Sequence, residues 1–445
     1  MIRYTKFFIT FLLAVIALGA RSQSTTSSPY SRYGLGDINA GVLPQNAAMG
    51  GISTATNLIG GFSSINPLNP ASYGSIYITT IDVGLFANRL SLSQTGQTGG
   101  SNGNFGLSHI TFAVPVTKHS ALSFGLLPYS QLGYNYKQTL NRGFGTASPA
   151  DTNMVNYVYS GEGGLSKAYL GYGIKLFKHL SIGANVSYIF GQLKHTQTTE
   201  FPQLASALNT SIEDNNSISG LNYDYGVQYI MDFSLKRHLV LGYSASASSQ
   251  LNSQSSYIVS QYTFDQNGVA NLPIDSLINQ QSAKTKIQLP QINHFGISYQ
   301  NDDKFLIGAD YTIGKWSNLT IGGTNQGLVD SKTLRVGGQY IPNIDAVGNY
   351  WSTIEYRLGL VLDQTYLNVN NPTGGGLTNI KSQAVTFGLG LRLRPYYQNI
   401  FYKINVSGEV GQRGTLSNGL VKENYFTLRL GFMINDRWFQ KIKFD

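Results

Sequence analysis

The chain contains no cysteine, so no disulfide can staple it and no lipid-bearing cysteine can follow a leader. Charge is scarce too. Only 12% of the 445 residues are Asp, Glu, Lys or Arg, and they are spread along the chain, which excludes the concentrated basic footprint of a nucleic-acid binder. Beyond residue 22 no apolar run reaches the roughly 18 residues that a transmembrane helix needs. Six scattered histidines show no zinc-ligand spacing, and no Ser-His-acid set can be placed on one site from the sequence. No enzyme, metal or cofactor is therefore expected. The glycines of "NPTGGGLTN" at 371–379 lack the lysine and helix of a phosphate loop and are expected to form a surface loop.

What is present is aromatic and small: Gly 50, Tyr 29 and Phe 22. The opening "MIRYTKFFITFLLAVIALGARSQS" sets Arg3 and Lys6 before a short apolar run, with Ala20 and Ser22 ahead of Gln23. Residues 1–22 are expected to be a signal peptide, and the mature protein to be exported. Cleavage removes Arg3, Lys6 and Arg21 and no acid, leaving a modest basic excess suited to a phosphate-rich membrane surface.

Several windows alternate strictly. Leu180, Ile182, Ala184, Val186, Tyr188 and Phe190 share one face, and Ser181, Gly183, Asn185 and Ser187 the other. The period recurs at Phe387, Leu389, Leu391 and Leu393, and at Phe426, Leu428, Leu430 and Phe432. A period of two marks strands. About fourteen such segments run from Ile76 to the C-terminus, joined alternately by short links such as "TKHS", "FKH", "KRH" and "NDD" and by long polar stretches such as 195–220 and 261–287. Alternating short and long connections with an even strand count fit an outer-membrane barrel better than a soluble sandwich or propeller. Tyr134, Tyr136, Tyr396 and Tyr397 near segment ends suit its aromatic girdles. The fold class expected is all-β, a transmembrane antiparallel barrel of about fourteen strands over 76–445, in the bacterial outer membrane.

Residues 23–75 read differently. Tyr30, Tyr33, Met49, Leu58, Ile59, Phe62 and Ile65 are too many apolar groups for a solvated arm, so a packed hatch is expected. "INPLNPASY" at 65–73 places two Asn-Pro steps just before the first strand, and proline fixes φ and biases its predecessor to extended geometry. Asn66, Pro67, Asn69, Pro70 and Ala71 thus form a stiff elbow from plug to wall, whose asparagines can bond irregular backbone.

"AAMGGISTATNLIGGFSSINPLNPASY" resembles the hatch of the FadL family of outer-membrane transport proteins, with the family's Asn-Pro-Ala element on Asn69, Pro70 and Ala71. The resemblance implies a fourteen-stranded barrel with a plugged lumen that passes a fatty-acid-like or aromatic solute. It also implies a kinked third strand that opens a sideways exit, where Pro128 of "SFGLLPYSQLGYNY" falls; the alternative is a proline beyond the bilayer. "SPYSRYGLGD" and the doubled "NPLNP" are not features of the fatty-acid transporters. FadL-like barrels also resemble subunits of multi-protein machines, including the PorV-type subunit that serves protein secretion. Two functions follow: passive uptake of a hydrophobic small molecule with lateral exit, or a non-transporting subunit that binds other outer-membrane proteins through its loops. Arg392, Arg394 and Arg429 are candidates for a ligand head group, with internal salt bridges as the alternative. Outer-membrane lipid and lipopolysaccharide complete the expected partners.

Overall fold

A computed structural model describes residues 28–57, 63–140, 154–204, 207–265, 267–273, 275–393 and 400–436. The leader, Arg394, Leu58, Ile59 and Phe62 lie outside the described residues. Fourteen antiparallel strands form a closed wall. They are β1 (Thr79–Gln94), β2 (Gly100–Thr117), β3 (Ser120–Leu140), β4 (Val155–Lys175), β5 (Leu180–Glu200) and β6 (Asn209–Ser234). β7 (Arg237–Ser246, then Gln250–Tyr262) and β8 (Asp275–Gln281, Thr285–Gln288, Ile292–Asn301) are interrupted strands. β9 (Phe305–Gly314), β10 (Ser331–Tyr340), β11 (Glu355–Asn370), β12 (Leu377–Leu393), β13 (Ile400–Gly414) and β14 (Val421–Asp436) complete the set. β14 closes on β1 from Thr79↔Asp436 to Gln94↔Val421, so no sheet edge is left at that seam.

The wall is turned inside out relative to a soluble protein. Ile182, Val186, Tyr188 and Phe190 of the alternating window are 37–48% exposed, whereas Ser181, Asn185 and Ser187 on the opposite face are at most 2% exposed. Phe387 and Phe426 likewise face out, and Thr386 and Thr427 face in. Apolar side chains turned outward around a closed wall have a solvent to match only in lipid. No described helix is long and apolar enough to cross a membrane, and the strands make the crossing.

Two connections differ from the expectation of long loops. Residues 195–220 form mostly strand, since β5 runs on to Glu200 and β6 starts at Asn209, paired from Leu180↔Tyr229 to Thr199↔Thr210. Within 261–287, Asp275–Gln281 pairs back on β7. Above the bilayer both faces of a hairpin are wet, so the alternation that reveals a strand disappears although the ladder continues.

Ahead of β1 the chain fills the barrel. A turn at Pro29–Arg32, a two-residue strand at Asp37–Ile38, a short helix at Pro44–Ala47 and a 3-10 turn at Pro70–Ser75 are its regular parts. Most of the described residues of this segment are buried, Leu35, Leu43, Met49, Ile52, Ile65 and Tyr73 among the most completely. Toward the long-loop end, Tyr30 and Leu35 join Leu132, Leu165, Leu251, Ile287 and Leu367 in one apolar core. The β9–β10 connection folds into this core through Trp316, Leu319 and Leu328, and Trp316 stacks on Tyr366 at 4.4 Å. Apolar side chains occupy much of that end of the lumen.

Candidate functional site

The described parts of the plug are held by position-specific contacts. Inward glycines of the wall lie opposite one another across strands: Gly173, Gly183 and Gly226 on β4–β6, Gly242 and Gly296 on β7–β8, and Gly308, Gly337 and Gly359 on β9–β11. The plug backbone rests on these rows. A Cβ on Gly183 would fall 2.3 Å from the Pro70 carbonyl oxygen, one on Gly242 2.1 Å from that of Thr54, and one on Gly359 2.1 Å from the Gly50 nitrogen. Only glycine leaves room for a second backbone there.

Polar side chains of the wall satisfy the plug's irregular backbone, as burial without water requires. Asp310 Oδ2 accepts from the Ser53 and Thr54 amides at 2.7 and 2.8 Å, and Gln228 Nε2 donates to the Thr54 and Thr56 carbonyls at 3.0 and 3.1 Å. The Gly50 amide donates to Thr386 Oγ1 at 2.7 Å. At the elbow, Asn66 Nδ2 donates to the Ser53 carbonyl and Asn69 Nδ2 to that of Thr54, both at 2.6 Å. Asn69 also caps the Pro70–Ser75 turn by accepting from the Ala71 amide at 3.1 Å, and Asn185 Nδ2 donates to the Pro67 carbonyl at 3.0 Å. The elbow is thereby tied to the plug's middle as well as to the wall. Asn69→Ala removes a cap and a buried donor, with an expected loss of about 1–2 kcal/mol. The check is the temperature at which the detergent-solubilised barrel loses its folded gel mobility; an unchanged temperature would show the elbow to be slack.

The wall has a break beside Pro128. β2 and β3 pair only as far as Ile110↔Leu126, although both strands continue. Pro128 lacks an N–H for the ladder, and β3 bulges against β4 between Pro128 and Ser130. The plug fills part of the break: Asp37 and Ile38 pair with Gln131 and Ser130, and the Asn39 amide donates to the Tyr129 carbonyl at 2.9 Å. A cavity of about 380 Å³ reaches this place, with Ser108, Leu127 and Pro128 on one side and Arg335, Asp363 and Glu409 on another.

The cavity is charged, and most of its charges are committed. Arg413 donates to both oxygens of Asp37 at 2.8 and 3.1 Å and to Glu423 at 2.6 Å, riveting the plug to β13 and β14. Arg429 pairs with Glu409 at 2.7 Å. Arg392 lies at the opposite end of the lumen, where Glu355 takes Arg392 at 3.1 Å, Lys403 at 2.6 Å and also Arg357. Both described arginines chosen from the sequence are thus in internal ion pairs, and Arg394 lies outside the described residues. The cavity's uncommitted cation is Arg335, which makes no ion pair or hydrogen bond among the described residues. Its inward position on β10 was open to reading from the strand period; that it meets the cavity required the register.

His109 Nε2 meets Asp82 Oδ1 at 3.0 Å, and Ser108 Oγ stands 3.3 Å from His109 Nδ1. The serine contact is at the long limit of hydrogen bonding, and both His109 and Asp82 are fully buried. The pair fastens β1 to β2 in the lumen. Among the described residues no cluster of three His, Cys, Asp or Glu side chains is arranged to hold a metal ion.

The fold is that of FadL- and TodX-type outer-membrane channels. A CymD monoaromatic hydrocarbon channel aligns over 92% of this chain and 100% of its own at 12% identity and a TM-score of 0.52. The P. putida toluene transporter TodX aligns over 90% and 99% at 14% identity and 0.56. A Pseudomonas aeruginosa FadL homologue aligns over 90% and 98% at 14% identity and 0.53. No curated protein matches the sequence. At such identities the likeness speaks for fold alone, whereas one family model matches the sequence from residue 1 to residue 445, and by that match the chain belongs to the BamG family.

Proposed function

We propose that the chain is a plugged, non-conducting outer-membrane barrel that serves as a subunit of a membrane-protein assembly and binds partner proteins. The observation that carries this reading is the seating of the plug backbone on three glycine rows, fastened by Asp310, Gln228, Asn185 and Arg413. A conduit must clear its lumen in each cycle, and here clearing would expose several buried backbone groups and the acids around Arg413 at once. The long-loop end, much of it occupied by the chain's own side chains, and the charged cavity also disfavour an apolar solute. The BamG family name supports an assembly role. Paired hairpins that rise beyond the apolar belt, such as β5–β6, offer an ordered surface for partners.

The second reading, lateral passage of a hydrophobic solute, draws on the ladder break at Pro128 and on the hydrocarbon channels that share the fold. Depleting the chain in its native cell separates the two. The assembly reading expects folded outer-membrane protein levels to fall while uptake of a labelled fatty acid or toluene is unchanged. A drop in uptake with normal membrane-protein levels would overturn it. In that case Pro128→Ala, which restores a backbone donor, should lower uptake at equal expression.

A further inference from the structure

The outer wall carries a row of lysines that nothing in the lumen explains. Lys332 on β10 lies opposite Gln364 on β11, which lies opposite Lys381 on β12. Because Ser382 pairs with Arg413, Lys381 stands level with Gly414 of β13, which pairs with Lys422 of β14, and Lys422 with Ser93 of β1. Three lysines therefore occupy one cross-strand row on every second strand, about 10 Å apart at the usual strand spacing. Their inward neighbours in sequence are Thr333, Ser382 and Glu423, so the lysines point outward, at the long-loop end of the wall. None of the three makes an ion pair or hydrogen bond among the described residues.

Below the row, toward the middle of the bilayer, β11 to β14 and β1 form an outward groove of about 600 Å³. Leu360, Val385, Val410 and Phe426 form its deeper level, with Arg89 of β1 paired opposite Phe426, and a polar level of Gln383, Gln412 and Asn424 separates them from the lysines. The far side of the barrel is different: Lys194 is neutralised by Glu162 and Glu213 at 3.8 and 3.1 Å.

We propose that this face binds a phosphorylated glycolipid of the outer leaflet, of the lipid A type, with acyl chains in the groove and phosphates on Lys332, Lys381 and Lys422. The groove faces hydrocarbon, so its occupant must be apolar there. The row above it lies where the wall leaves hydrocarbon, so the same occupant must carry several negative charges about one strand-pair apart. An acyl chain bearing one phosphate meets only one of these cations, and a soluble anionic protein leaves the groove unfilled. The assignment rests on the outer-membrane placement proposed above.

The test is native mass spectrometry of the full chain purified from membranes, titrated with lipid A, with lipid A stripped of its phosphates, and with phosphatidylglycerol. Folded gel mobility, measured on every sample, reports separately whether the barrel itself is intact. Lipid A is expected to bind the parent protein ahead of both controls. Replacing Lys332, Lys381 and Lys422 together by glutamine should weaken it about a hundredfold, each screened lysine contact counting for a factor of about five. Val410→Trp, which fills the groove, should weaken it with the lysines intact. Equal binding of dephosphorylated lipid A, or unchanged binding by the triple variant, would overturn the proposal. Loss of a co-purifying protein in the triple variant with lipid A binding unchanged would overturn it in favour of a protein surface.

Discussion

Gly359→Val is expected to unseat the plug and to lower barrel stability by about 3 kcal/mol or more, the upper range for overpacking. The new side chain would start 2.1 Å from the Gly50 nitrogen and 2.3 Å from the Met49 carbonyl carbon. Those atoms are backbone, held by the Gly50–Thr386 hydrogen bond, so no rotamer change can relieve the contact. Either the 48–52 segment lifts away, taking the Ser53 and Thr54 amides off Asp310, or β11 bows outward and loosens its ladders. Both outcomes should appear as proteinase K cleavage within residues 28–57 of a barrel that resists cleavage in the parent. Leu358→Val, one residue away but facing lipid, is the control and should shift stability by less than about 0.5 kcal/mol.

Arg413→Met has an effect of similar size from a different cause. The guanidinium serves Asp37, Glu423 and Ser28 together, and the Glu423 side chain is 1% exposed. Removing it leaves two carboxylates facing each other with their shared cation gone, a change that typically costs about 3–5 kcal/mol. Because Asp37 belongs to the plug and Glu423 to β14, the first consequence should be release of the 28–38 segment from the wall. Adding Glu423→Gln to Arg413→Met removes one orphaned charge and should recover part of the loss. Full additivity of the two substitutions, measured by the temperature at which folded gel mobility is lost, would show that the pair is not coupled.

The wall was legible because lipid enforces a period of two on every strand it touches. All fourteen segments expected from that period correspond to wall strands, and the alternation of short and long links gave the closure. The period faded above the bilayer, which is why 195–220 read as loop although it is largely ladder. Cross-strand facts were out of reach for a stronger reason. Gly308, Gly337 and Gly359 are unremarkable singly, and only register reveals that they form a row. The Arg413–Asp37 contact joins residues 376 apart, and neither residue carries a local signal of the other. Pro128 was legible as a ladder defect because proline lacks a donor wherever it stands, but the segment that pairs beside it, Asp37–Ile38, was not.

Gentle extraction of a tagged chain from its native membrane, followed by measurement of the intact particle's mass and composition, tests the proposed role most directly. A plugged assembly subunit should migrate in a particle well above the 48.6 kDa of the chain, with other outer-membrane assembly proteins present in a fixed ratio. A lone barrel carrying a hydrophobic molecule in its lumen cavity would contradict the account.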